Sequence, residues 1–292
     1  MTGIITDIIP FSVNDGPGIR TSVYFMGCPL RCRWCHNPET QYGHPHAMVR
    51  VDRCTHCGAC TVCSSGARGP HGEYDASRCT GCGKCAAVCP EKACWICGRE
   101  VTPDEILHQV LPDKPFFRRR GGVTLSGGEP MAQPEFALET AKLLCENGIG
   151  VCMETCGQAD WTSYEQMLPY VQSFLYDYKV SDPESHRQWT GTDNRRILAN
   201  LRNLSSCGVD IVLRCPLIPG VNDTTDHFLG IAGLTEELQG IRRVEILPYH
   251  SLGNNKRVQL GLESENFCVP EKAEILRWQD ELNSMCRVPV CL

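Results

Sequence analysis

The chain has no excess of basic residues and no long apolar run. Lysine and arginine number 28 against 34 aspartates and glutamates, for a formal charge of −6. That balance argues against a general nucleic-acid binder, which needs a basic face to neutralise phosphates. No stretch approaches the roughly eighteen apolar residues of a membrane span, so no membrane association is expected. The opening residues, MTGIITDIIPF, lack a basic n-region and a small-residue cleavage site. No export signal is read there, and a cytoplasmic protein is the expectation. A length of 292 residues with 42% hydrophobic and 21% charged content suits one sizeable core, or a core plus a small module.

Cysteine is what the chain has in excess: 21 residues, 13 of them between Cys28 and Cys97. A disulfide scaffold would be short and exported; clustered thiols in a reducing compartment more often ligate metal. Beyond residue 98, short apolar runs alternate with helical stretches. Strands are expected at 123–126, 149–154, 174–179, 209–216 and 244–248, with another earlier at 21–25. Thr102, Pro103 and Glu105 form a capping-box start, and Gly148 and Gly208 read as helix ends. Strands alternating with helices imply parallel βα units. The expected fold is α/β, a partial (β/α)6 TIM-like barrel formed by residues 1–50 and 98–292. Residues 51–97 are poor in apolar periodicity and cannot bury an ordinary core. They read as a metal-dependent insert in the first βα unit.

Within the insert, CTHCGACTVC supplies Cys54, Cys57, Cys60 and Cys63, and CTGCGKCAAVCP supplies Cys79, Cys82, Cys85 and Cys89. The second is the C-x2-C-x2-C-x3-C-P run of bacterial ferredoxins, whose fourth cysteine ligates the other cluster. A small ferredoxin-like domain with two [4Fe–4S] clusters is therefore expected. One would be held by Cys54, Cys57, Cys60 and Cys89, the other by Cys79, Cys82, Cys85 and Cys63. Zinc knuckles also use C-x2-C pairs and are the alternative. Cys63 departs from the pattern, following Cys60 by two residues with no proline after it, so Cys94 or Cys97 could take its place.

The stretch CPLRCRWCHNP carries only three cysteines: Cys28, Cys32 and Cys35. Three thiolates on a cubane leave one iron open for a substrate, unless His36 or a distant cysteine closes the site. Each later strand also ends in a polar or glycine-rich motif: SGGEP, ETCG, DYK, RCPLIPGVND and LPYHSLG. Strand ends are where α/β barrels place their sites.

A C-x3-C-x2-C run with Trp34 before its last cysteine, just after a first strand, resembles the radical S-adenosylmethionine superfamily. More closely, DGPGIRTSVYFMGCPLRCRWCHNPE resembles the glycyl radical enzyme activating enzymes, a similarity that extends over most of the chain and includes the double-cluster insert. The resemblance implies three [4Fe–4S] clusters. The one at Cys28, Cys32 and Cys35 would chelate S-adenosylmethionine through its amino and carboxylate groups. An electron from that cluster would split the S–C5′ bond to give methionine and a 5′-deoxyadenosyl radical, which takes a hydrogen from a glycine Cα of a partner enzyme. It also implies flavodoxin or ferredoxin as reductant, and a monomer is expected.

Site roles follow from the same resemblance. Gly127, Gly128 and Glu129 match the amino-group site, and Lys179 would pair with the methionine carboxylate. Arg214 would reach the same pocket, although alone it reads equally as a surface ion pair. His250 matches a nucleoside contact, and Trp34 and His36 flank the thiols. Glu154, Thr155 and Asp177 resemble a monovalent-cation site whose first residue is Asp in the pyruvate formate-lyase branch. The loop 14–20 (NDGPGIR) resembles the segment that meets the partner's glycine. The other eight cysteines (Cys145, Cys152, Cys156, Cys207, Cys215, Cys268, Cys286 and Cys291) show no ligand spacing and read as small buried hydrophobes. Competing readings are a radical enzyme acting on a small molecule or another peptide, an electron carrier, and a zinc-binding interaction protein.

Overall fold

The structure is a computed structural model that describes residues 1–69 and 73–292. All six expected strands form, and they pair in parallel in chain order: β2 (Arg20–Phe25), β6 (Gly122–Gly127), β7 (Val151–Thr155), β8 (Val171–Asp177), β9 (Asp210–Leu217) and β10 (Ile241–Pro248). Three further strands extend this mixed α/β sheet. At one edge β1 (Gly3–Ser12) runs antiparallel to β2 and also pairs with β5 (Arg99–Val101); at the other, β11 (Val290–Cys291) joins β10. None of these three was read from the sequence. β1 lacks alternation, and β5 and β11 are two- or three-residue edges placed by their neighbours.

Between these strands, β3 (His46–Val49) and β4 (Cys94–Cys97) form a separate antiparallel pair, so the cysteine-rich segment leaves and returns on one two-stranded stem. The expected caps are present. Thr102 accepts from the Glu105 amide while the Glu105 carboxylate accepts from the Thr102 amide, and Gly148 and Gly208 take the left-handed conformation past their helix ends.

Alternation along the strands separates core from site. Val23, Phe25, Leu125, Met153, Tyr176 and Leu213 enter the main apolar core with Phe136, Leu144, Leu201, Phe228 and Trp278 from the surrounding helices. Their strand neighbours Tyr24, Ser126, Glu154, Asp177 and Arg214 point the other way and line a cavity. The inner face of the sheet is therefore polar, and it needs a polar occupant or internal pairing.

Packed behind β8 and β9, the His227 ring stacks on Tyr178 and shares Nδ1 with the Ser181 hydroxyl at 2.8 Å. Its buried Nε2 has no partner among the described residues, and burial pushes the ring from 6.5 down to about 4. The unfolded chain therefore binds a proton that the folded chain refuses, and stability falls as pH drops from about 6.5 towards 4. Unfolding free energies of the wild type from urea titrations between pH 7.5 and 5.5 should fall more steeply than those of His227→Gln, by about 1.4 kcal/mol per pH unit at most. Parallel curves would remove His227 as a source of the acid sensitivity.

Candidate active site

The loop 26–37 leaves the C-terminal end of β2 and is fixed by backbone bonds to a distant turn, Arg31 N to Thr190 O at 2.7 Å and Arg33 N to Trp189 O at 3.1 Å. Gly253 packs so closely on the Cys35 carbonyl that any Cβ there would collide with it. This glycine, distant in sequence, gave no signal of its role. Cys28, Cys32 and Cys35 line one cavity of about 410 Å³, within the usual range for small-molecule sites. With them stand Trp34, His36, Gly127, Gly128, Thr155, Asp177, Lys179, Arg214 and His250. The structure thus brings together twelve of the sequence-derived candidates from six strand ends.

Glu129 is placed differently. It is fully buried and not among the cavity-lining residues. Its carboxylate accepts from Thr155 Oγ1 at 2.9 Å, the Met131 amide at 3.1 Å and the Cys156 amide at 2.7 Å, so it orders the turn after β7 from behind. Gly127 takes φ +108°, where a side chain would also strike the backbone of Phe25. Only glycine lets β2 and β6 close up at this point.

The charges inside are paired. Burial works against the Lys179 ammonium, yet Asp177 at 2.8 Å outweighs it and holds the amine charged. Taken alone this lysine would read as a surface residue, but its side chain is only 13% exposed. Arg214 is not the surface ion pair that its residue type allowed: its side chain is 6% exposed, with Glu154 at 2.6 Å, Glu245 at 3.2 Å and the Asn14 carbonyl at 2.7 Å. Burial pushes the Glu154 carboxyl up while Arg214 pulls it down, and Ser126 also donates to it. The Asn14 contact ties the 14–20 loop to the cavity, and Asp15 of that loop is itself in the lining. The cavity therefore reaches from the thiols to the 14–20 loop, whose Asp15 carboxylate accepts from the Ser22 hydroxyl in the middle of β2.

At the other wall the His36 and His250 rings stack with centroids 3.6 Å apart. Burial, then the neighbouring His250, pushes His36 down to about 4, so the pair presents neutral π-faces at neutral pH. His250 Nδ1 is buried without a partner among the described residues and is free to bond a ligand. Burial also pushes the Cys35 thiol up to about 11, and Cys32 further. Metal loading must expel those protons.

Sequence reasoning missed Cys156. Its sequence context reads as that of a small buried hydrophobe, and it is buried, but it also lines the cavity and packs in one cluster with Cys28. Its position directly after β7, in ETCG, was the available signal. Cys207 and Cys268 depart from the same grouping by being exposed.

The insert thiols line two further cavities. One is bounded by Cys54, Cys57, Cys60, Cys89 and Cys94, the other by Cys63, Cys79, Cys82 and Cys85. Cys97 lies in neither, packing instead near Trp95, Tyr42 and Leu260.

A chain with three converging thiols at the first strand end and paired charges at the others has the makings of a metallocofactor enzyme with a zwitterionic ligand. The Radical SAM superfamily matches residues 22–231, and the chain belongs to it. The isethionate sulfite-lyase activating enzyme of Oleidesulfovibrio alaskensis is 45% identical over 267 residues, covering 87% of this chain and 86% of that one. The trans-4-hydroxy-L-proline dehydratase activating enzyme of Clostridioides difficile is 38% identical, covering 94% of each. The choline trimethylamine-lyase activating enzyme of Oleidesulfovibrio alaskensis is also 38% identical, covering 89% of this chain and 87% of that one. Among solved structures, a domain of pyruvate-formate lyase-activating enzyme from Bacteroides vulgatus superposes with a TM-score of 0.50 at 24% identity, covering 58% of this chain and 97% of that one.

Proposed function

We infer that this chain activates a glycyl radical enzyme by reductive cleavage of S-adenosylmethionine. The family brings a [4Fe–4S] cluster and S-adenosylmethionine, and its relatives of 38–45% identity are named as activating enzymes. The observation that carries the reading is the single cavity where three thiols, a held ammonium, and a strand-end glycine pair face one another. When bound, the cluster supplies the electron that releases a 5′-deoxyadenosyl radical from the nucleotide.

The residues then divide the work. Cys28, Cys32 and Cys35 would hold the cluster and leave one iron to the ligand. Lys179, kept charged by Asp177, would take the methionine carboxylate, and the Gly127–Gly128 turn would give backbone access to its ammonium group. The His36–His250 stack and Trp34 suit the nucleoside. Glu154, Thr155 and Asp177, the residues of the proposed monovalent-cation site, already have partners in Arg214, Glu129 and Lys179. On this reading the positive charge beside Glu154 is the Arg214 guanidinium. The partner's glycine segment would enter at the 14–20 loop, where Asp15 opens onto the cavity.

Around this site, residues 1–50 and 98–292 would form the partial (β/α)6 barrel and 51–97 its two-cluster insert. The thiols that share each insert cavity support the exchanged ligand sets, Cys54, Cys57, Cys60 and Cys89 in one and Cys63, Cys79, Cys82 and Cys85 in the other, with Cys63 preferred to Cys94 or Cys97. Flavodoxin or ferredoxin is the expected reductant. The relatives are named for different lyases, so partner choice belongs to surfaces outside the shared site.

Anaerobic incubation with a reductant, S-adenosylmethionine and a glycyl radical lyase should produce a glycyl doublet in the EPR spectrum, with methionine and 5′-deoxyadenosine released. Cleavage that yields no protein radical with any such lyase would exclude activation and leave a small-molecule substrate.

A further inference from the structure

Between the two insert cavities lies a side chain that neither the motifs nor the proposed chemistry uses. Arg68 is 6% exposed and lines the cavity of Cys63, Cys79, Cys82 and Cys85. Its Nη2 donates to the Cys94 sulfur at 3.6 Å, and Cys94 borders the other cavity. The guanidinium sits 4.1 Å over the Tyr74 ring, and Tyr74 in turn donates to the Ala47 carbonyl on the stem. Its buried Nε has no hydrogen-bond partner among the described residues. A buried guanidinium with an idle donor is costly unless negative charge faces it.

We propose that Arg68 is the cation shared by the two insert sites, and that it raises the reduction potential of the clusters they hold. The proposal rests on the two-cluster reading of the insert. Four thiolates outweigh the charge of a cubane core, so each loaded site is anionic and becomes more so on reduction. Two such sites side by side repel each other's electrons, and a fixed positive charge between them favours the reduced state of both. Cluster potentials respond to net charge, and Arg68 sets a fixed positive charge in the lining shared with Cys85 and against Cys94 at the edge of the other cavity. The nearby stem explains why the cation is an arginine: the planar guanidinium can stack on Tyr74 while its edges reach sulfur.

The test is an EPR-monitored redox titration of the anaerobically reconstituted full chain, with iron and sulfide counted on the same samples. Arg68→Gln should keep the iron of the wild type but require a more negative potential for the insert signals. At a fixed potential its reduced-to-oxidised ratio should fall about tenfold, which is 59 mV for a one-electron couple. Arg68→Lys, which keeps the charge, should recover most of that shift. Should Arg68→Gln lose part of its insert iron where Arg68→Lys retains it, the potential of the clusters that remain decides: a more negative value supports the proposal and an unshifted one overturns it. Unchanged potentials in an iron-replete Arg68→Gln, or equal iron loss in both variants, would overturn it. A wild-type chain that binds only about four irons would instead remove the two-cluster reading itself.

Discussion

Replacing Cys32 with serine should reduce S-adenosylmethionine cleavage and glycyl radical formation to background. The side chain is buried, 7% exposed, within the apolar nest of Leu30, Trp34, Val180, Ile218 and Tyr249. Such packing fixes the thiol where it stands. Because the cofactor supplies the bond-breaking electron, no residual pathway through the polypeptide is available. The iron content should drop from about twelve per chain to about eight, the loss of one cubane of three. By contrast, changing Cys79, Cys82 and Cys85 together to alanine should remove insert iron and leave the site cluster's EPR signal, with its response to S-adenosylmethionine, in place. A Cys32→Ser enzyme that still cleaves the nucleotide would refute the assignment of the 28–35 thiols.

The second large effect is on stability. Arg214→Met leaves Glu154 and Glu245 facing each other across a buried space that the guanidinium now fills, and it releases the Asn14 carbonyl as well. Removing one partner of a buried ionic network costs about 3–5 kcal/mol, because the remaining charge keeps its desolvation penalty. The sign of the pH dependence identifies the cause. Burial already pushes Glu154 up and Arg214 is what pulls it down. In the variant, protonating Glu154 relieves the repulsion, so the stability deficit relative to wild type should shrink as pH falls from 8 towards 6. Denaturant midpoints across that range decide it. A deficit that stays constant with pH would mean that the loss is one of packing alone.

Arg214 also shows where the sequence stopped being legible. Its partners lie 60, 31 and 200 residues away in the chain. An isolated arginine at a strand end gives no sign of whether it meets solvent or two carboxylates. Lys179 was equally ambiguous by itself, although DYK placed its partner Asp177 only two residues away. The place of Cys156 in the cavity was hidden for a related reason, although its burial was read correctly. Its ligand-like neighbour Cys28 is on another strand end, and no spacing along the chain connects them. Glu129 was found by its motif, but the motif does not say that its carboxylate turns inward to hold the amides of Met131 and Cys156.

What the sequence determined by itself was local in origin. The short apolar runs and glycine ends set six strands and their helices, and the C-x3-C-x2-C spacing set a three-thiol loop, because both depend on residues a few positions apart. Only the tertiary structure decided which polar side chains face one another, that the guanidinium of Arg214 rather than an empty space lies beside Glu154, and that Arg68 lies between the two thiol sets. Those outcomes depend on strand order and on how far the sheet brings distant residues together, and burial then converts each pairing from a weak surface contact into a strong constraint.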